Sequence, residues 1–403
     1  ALSAWPLWAW VGVLLVYCYF ASVLPVWVLL QPRDYINSLQ LGVSLVLLIA
    51  GVAAAAFQGF PVSGGFLGLS MVAPAVDLDP LNAPPIFPFL FVTVACGAIS
   101  GFHCLVSSGT SSKQLRCEKD ALPIGYGSML VEGFLAVLVI LSVGAGLGFG
   151  WPEAYPGISG SALWSKVYGD WQSVTGGQAI GAFVVGSGNF LQSLGLPVSM
   201  ATAIMGVLVA SFAGTTMDTA TRLQRYVVQE LARALAGSIP LRSDSESGAR
   251  VFRQDAAARS VSCRGPLHWL TTTHGATLFA VGTALVLALL PAPGRAWTWE
   301  AIGTGGLILW PLFGATNQLL AGLALMVVSV WLLHRGLPKF FAVLPMVFMI
   351  VMPFWALSLD VQRWRAGGSW LLVLLGVVLL GITVWMSAEG FLLWRKVRSA
   401  LSR

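Results

Sequence analysis

Residues 123–149 read PIGYGSMLVEGFLAVLVILSVGAGLGF, a run of 27 residues in which Glu132 is the one acidic or basic side chain. About 20 consecutive apolar residues span a bilayer. The run is apolar all round rather than along one stripe, as expected of a helix surrounded by lipid or other helices. The same pattern recurs outward in both directions, over 5–30, 39–57, 87–106, 177–195, 198–216, 267–291, 305–333, 340–359 and 369–394. The expectation is an all-α, polytopic membrane helix bundle.

Composition agrees. Hydrophobic residues make up 57% of the 403 and charged residues 9%, against roughly 25% charged in soluble domains. So few charges cannot cover a water-facing surface of this size. The formal net charge is +6, but its cations gather in a few loops and at the C-terminus, which suits membrane orientation rather than nucleic-acid binding. The five cysteines, Cys18, Cys96, Cys104, Cys117 and Cys263, form no CxxC pair, so neither a disulfide framework nor a zinc site is expected. The chain begins at Ala1 without Met or a basic n-region. It reads as lacking a signal peptide, and a fragment of a longer frame and a complete chain both remain open readings.

Loop charge sets the expected topology. Lys113, Arg116 and Lys119 follow the third segment, eight arginines from Arg222 to Arg264 follow 198–216, Arg335 and Lys339 follow 305–333, and Arg395, Lys396, Arg398 and Arg403 form the tail. By the positive-inside rule these four face the cytoplasm. Residues 58–86 carry Asp77 and Asp79 and no cation, so they face out. If 177–195 crossed, the arginine-rich stretch would be placed outside. That segment, rich in Gly with Asn189 and Gln192, is therefore read as a half-helix, re-entrant or interfacial piece. Nine crossings remain, with Ala1 outside and Arg403 inside. Residues 237–266, mixed in charge and without apolar period, read as a cytoplasmic loop. The whole, 1–403, reads as one transmembrane domain.

Four polar clusters stand out against this background. Thr93, Cys96, Ser100, His103, Ser107 and Thr110 recur at steps of three and four, one stripe on a continuous helix, with Gly97 and Gly101 as a GxxxG on another face. His103 adds an imidazole, a candidate proton carrier. In Gly214-Thr215-Thr216-Met217-Asp218-Thr219-Ala220-Thr221-Arg222 an acid and a base stand one turn apart near the membrane boundary, with Arg225 on the same face, and Thr215 and Thr219 offer hydroxyls to a cation. Glu132 lies two turns into its segment, where a carboxylate is expensive and a coupling proton is one reason to keep it. Trp310-Pro311-Leu312-Phe313-Gly314-Ala315-Thr316-Asn317-Gln318 places a Pro kink beside two amides, as in the broken helices that bind substrate in transporters. Each cluster also has a structural reading: hydroxyls bonded to their own helix, an orienting helix end, a neutral Glu, amides joining helices. No P-loop, nucleophile elbow, HExxH or dinucleotide fingerprint occurs. No enzyme activity and no cofactor are expected.

These motifs together resemble the carbon starvation protein A family. The resemblance is carried by Leu24-Pro25-Val26-Trp27, Gln31-Pro32-Arg33-Asp34-Tyr35, Phe87-Pro88-Phe89-Leu90-Phe91, Ala95-Cys96-Gly97-Ala98-Ile99-Ser100-Gly101-Phe102-His103 and Val106-Ser107-Ser108-Gly109-Thr110. Ile124-Gly125-Tyr126-Gly127, the stretch from Asp218 to Arg225, and Trp310 to Gln318 complete it, from about residue 10 to about 335, while the last two helices match in character alone. The resemblance implies a bacterial inner-membrane secondary transporter of peptides or pyruvate, proton-coupled in related members. It also implies an inverted-repeat helical fold of the amino acid–polyamine–organocation kind. Members carry several further helices before the position of Ala1, including a Gly-rich, His-containing stretch, and the sequence departs from them there. The partners expected are a small-molecule substrate, a coupling proton or cation, and the lipid bilayer. The competing reading is a membrane scaffold or sensor subunit whose polar groups only pack helices.

Overall fold

The computed structural model describes residues 5–62, 65–171, 173–235, 268–290, 298–299, 302–303 and 305–401; the expected loop 237–266 lies outside them. The chain is an all-α membrane helix bundle with one short hairpin. Its helices are α1 (Leu7–Val23), α2 (Val26–Phe57), α3 (Phe91–Ala98), α4 (Gly101–Val106), α5 (Ser112–Gln114), α6 (Ser128–Gly144) and α7 (Gly160–Tyr168). They continue with α8 (Gly176–Gln192), α9 (Val198–Leu235), α10 (His268–Thr271), α11 (Thr273–Leu289), α12 (Trp310–His334), α13 (Phe340–Ala366) and α14 (Trp370–Leu401). Strands β1 (Phe60–Val62) and β2 (Gly65–Leu67) pair antiparallel. Among the described residues seven helical stretches are long and apolar enough to cross a membrane, and α1 and α11 are shorter apolar helices; α8 is in neither set.

Several boundaries differ from the sequence reading. The expected span 5–30 breaks after Leu24, whose backbone is extended (φ −63°, ψ 147°), because the ring of Pro25 disfavours the helical conformation in the residue before it. The polar stretch after it does not interrupt α2, which runs through Pro32 for 32 residues. Its buried residues Leu30, Asn37, Ser44, Leu48, Gly51 and Ala55 keep helical spacing, and the packing of that face outweighs the one hydrogen bond Pro32 removes. Helix α9 continues nineteen residues beyond Thr216, where the apolar run ends, so Asp218, Arg222 and Arg225 share one face well inside it, at the helical spacing the sequence shows. Pro311 lies in the first turn of α12 and kinks nothing, because a proline at a helix start gives up a donor that has no partner there anyway.

The chain forms two compact units of non-contiguous stretches, with the division of α9 falling between Thr216 and Met217. The unit of Val26–Pro84 and Ser112–Thr216 centres on α8. Leu191 of α8 packs in a core with Leu48, Leu138, Ala201, Met205 and Leu208, and Phe190 with Ala55, Phe60 and Phe149. The glycines that made this segment look unfit to span are contact points. A side chain at Gly186 would collide with the Ser142 carbonyl, and one at Gly51 would stand 2.6 Å from the Phe190 carbonyl oxygen. The amide of buried Asn189 donates to the Gly146 and Gly150 carbonyls, each at 2.9 Å. Small residues permit close backbone approach, and dispersion over that contact supplies the attraction that the hydrophobic effect cannot supply within lipid.

The second unit comprises Ala1–Pro25, Pro85–Ser111 and Met217–Arg403. Helices α12, α13 and α14 pack together, with Leu312, Ala315, Leu319 and Leu357 at the centre. Helices α3 and α4 lie on α12, and α1 lies on α11.

Candidate functional site

Two polar arrangements lie in this second unit. The first is an interrupted helix. The expected continuous stripe from Thr93 to Thr110 does not exist, because α3 stops at Ala98, Ile99 and Ser100 are extended (φ −132° and −115°), and α4 begins at Gly101. Hydrocarbon offers no solvent for the backbone groups a break exposes, so it must be satisfied from elsewhere. Asn317 of α12 does so: its carbonyl oxygen accepts from the Phe102 N–H at 2.8 Å and the Ser100 hydroxyl at 3.2 Å, and its amide donates to Cys96 Sγ at 3.1 Å. The Ser100 side chain caps α4 by accepting from the His103 N–H. Gln318, fully buried, donates to the Val92 carbonyl at 2.6 Å. Gly101 lets the two backbones meet, since a side chain there would collide with the Asn317 carbonyl and stand 2.6 Å from Leu320 Cβ. Gly97, its expected partner in a GxxxG contact, faces open space. The two glycines fall on opposite sides of the break and share no helix face.

The rest of the expected stripe divides. Thr110 is buried and bonds back to the Val106 carbonyl at 2.8 Å. His103, Ser107 and Ser108 are exposed. Beyond the break, Ser107–Ser111 widens into a π-helical turn, so the spacing that aligned these residues on one face no longer holds.

The second arrangement is a buried charge cluster. Asp218 and Arg222 stand 3.9 Å apart at 0% and 2% exposure. They are enclosed because α1 ends against this part of α9. Arg222 donates to the Leu24 carbonyl at 3.1 Å and to the Ala21 carbonyl, and Arg225 donates to the Ser22 carbonyl at 2.6 Å. The last carbonyls of a helix lack intrahelical partners and carry its negative dipole end. Two guanidiniums there cap α1, and Asp218 offsets part of their charge. The Arg225 guanidinium also lies 4.7 Å over the Tyr226 ring. Thr219 is buried on the same helix. Arg225 was legible as sharing the face of Asp218, but its engagement with α1 was not.

Glu132, Thr215 and Thr216 belong to the other unit. Glu132 is exposed on α6, in its second helical turn. Thr216 is exposed and bonds to the Phe212 carbonyl at 3.0 Å. Thr215 joins a hydrogen-bonded set that the sequence did not single out: the Asn37 amide donates to it at 2.5 Å, Ser211 donates to Asn37, and Thr215 donates to the Ser211 carbonyl at 3.1 Å. Its hydroxyl is thus engaged on both sides. Asn37 gave a faint signal, as an amide on the spacing of the buried face of α2.

The model of the family described as Carbon starvation protein CstA matches residues 4–147 and 164–356. The chain is 32% identical over 382 residues to the Peptide transporter CstA of Helicobacter pylori strain J99, covering 86% of this chain and 49% of that protein. It is 30% identical over 370 residues to the Pyruvate/proton symporter BtsT of Escherichia coli K12, covering 85% and 49%. It is 31% identical over 370 residues to the Peptide transporter CstA of the same organism, covering 83% and 47%. The chain thus spans about half the length of the curated relatives it matches. No solved structure matches it.

Proposed function

Because the chain belongs to the carbon starvation protein CstA family, we propose that it is the whole or part of a secondary transporter that carries peptides or small carboxylates such as pyruvate, coupled to a proton or cation. The observation that carries this reading is the interruption between α3 and α4, held by Asn317. Interrupted helices at membrane depth are tolerated where protein or a cavity satisfies the backbone, and transporters build substrate sites from them. Relatives named as a peptide transporter and as a pyruvate/proton symporter supply the substrate classes and the coupling. The inverted-repeat arrangement belongs to this proposal. So does the topology in the bacterial inner membrane, with α8 not crossing, the loop 237–266 cytoplasmic and the C-terminus cytoplasmic by the positive-inside rule.

The test is uptake of labelled pyruvate and of a labelled dipeptide into membrane vesicles from cells expressing the protein from its native reading frame, with and without a protonophore. Uptake of one of them that collapses with the proton gradient is expected, together with a loss in Glu132→Gln. Uptake equal to that of vesicles lacking the protein, for both substrates, overturns the proposal. One observation favours the scaffold reading: Asn317 and Gln318 both spend hydrogen bonds on neighbouring helix backbone. Under that reading Asn317→Ala alters stability while no substrate is moved by the wild type.

A further inference from the structure

The bundle of α12, α13 and α14 leaves an apolar groove of about 310 Å³. Met326 of α12, Val343, Val347 and Val351 of α13, and Ser387 and Trp394 of α14 line it. Gly390 opens the floor, where any side chain would collide with the Met326 thioether. The Ser387 hydroxyl is buried without a hydrogen-bond partner. From Val343 to Val351 the lining rises roughly 12 Å along α13. Apolar side chains line it over that length, a surface on which one hydrocarbon chain can lie.

The groove has a basic end. The lining spacing, carried one turn back along α13, reaches Lys339 and, carried one turn past Trp394 along α14, reaches Arg398. The contact agrees with the spacing: the Lys339 ammonium lies 5.9 Å over the Trp394 ring. Arg335, Arg395 and Lys396 flank the same helix ends, against one acid, Glu389, on the last turns of α14. From Lys339 to Val351 the rise is roughly 18 Å, close to the depth of one leaflet, about half of the 30 Å hydrocarbon core. We infer that this groove holds an anionic diacyl phospholipid, with one acyl chain along α13 and α14 and the phosphate against Lys339 and Arg398. Basic pockets between transmembrane helices select anionic headgroups, a Trp at the mouth suits the headgroup level, and the groove depth matches a chain anchored there.

The test uses the full chain purified in detergent with equal amounts of phosphatidylglycerol and phosphatidylcholine of identical acyl chains, with bound lipid counted by native mass spectrometry. One retained phosphatidylglycerol per chain is expected. Lys339→Gln with Arg398→Gln should lower that preference roughly thirty-fold. Val347→Trp should displace the lipid with every cation in place, and if that variant aggregates, Ser387→Phe fills the same groove from α14. Equal retention of the two lipids overturns the inference. So does a preference lost with the cations yet untouched by either filling variant, which would mean surface attraction alone. A dimer without bound lipid that Val347→Trp dissociates overturns it as well. The readout is lipid binding, so it stands or falls separately from transport.

Discussion

The Asp218–Arg222 pair permits a double-mutant test. With both groups at 2% exposure or less and 3.9 Å apart, their attraction at an effective dielectric constant of 20 is about 4 kcal/mol. Asp218→Asn leaves two buried guanidiniums without that carboxylate. Arg222→Met leaves the carboxylate without its nearest cation and strips the Leu24 and Ala21 carbonyls of their donor. Removing one partner of a buried pair costs about 3–5 kcal/mol, so each single variant should lose that much. The double variant should cost about 4 kcal/mol less than the sum of the two and no more than the worse single. Its remaining deficit is the unsatisfied carbonyl end of α1, about 1–3 kcal/mol. The assay is a titration of purified protein from dodecyl maltoside into sodium dodecyl sulfate, followed by helical circular dichroism. If the single losses add to within about 0.5 kcal/mol, the pair is not coupled and the reasoning fails. Transport supplies a second readout: the double variant should recover folded yield but not uptake, whereas recovered uptake would show a purely structural pair.

Three further outcomes follow from the geometry. Asn317→Ala should cost about 1–3 kcal/mol by stranding the Phe102 N–H, and should speed amide exchange in α4 as read by hydrogen–deuterium exchange; unchanged exchange there would show that Asn317 does not hold the break. Gly101→Ala should sharply lower folded yield on size-exclusion chromatography, while Gly97→Ala, which faces open space, should leave it within error; equal yields would contradict the close contact of α4 with α12. A cysteine introduced by Ser247→Cys, with native thiols blocked or removed, should react with a membrane-impermeant maleimide only from the cytoplasmic side, and labelling from outside would reverse the proposed topology.

The structure explains why the candidate site was legible in its residues but not in its arrangement. Asn317 and Gln318 were conspicuous as amides in an apolar run, but their role required knowing that α12 lies beside residues 92–102. Ser100 was conspicuous as one step of a polar stripe, and the same residue is where the stripe ends. Spacing could not distinguish the two, because a serine inside a helix and a serine capping one look alike until a partner appears.

The membrane class, the apolar helices and the basic loops were legible without the fold. Each of these depends on local composition: the length of an apolar run is compared with the thickness of a bilayer, and no distant residue alters the comparison. Tertiary structure decided where helices stop and which polar groups are buried. Ile99 and Ser100 leave the helix because Asn317, 217 residues beyond Ser100, accepts the hydrogen bonds the break releases. Asp218 and Arg222 are enclosed because α1 ends beside them, and Glu132 is exposed because the buried face of α6 runs through Leu138 and Ser142. In a medium without water the cost of a break or a charge is set by the partner that satisfies it, and that partner comes from another part of the chain.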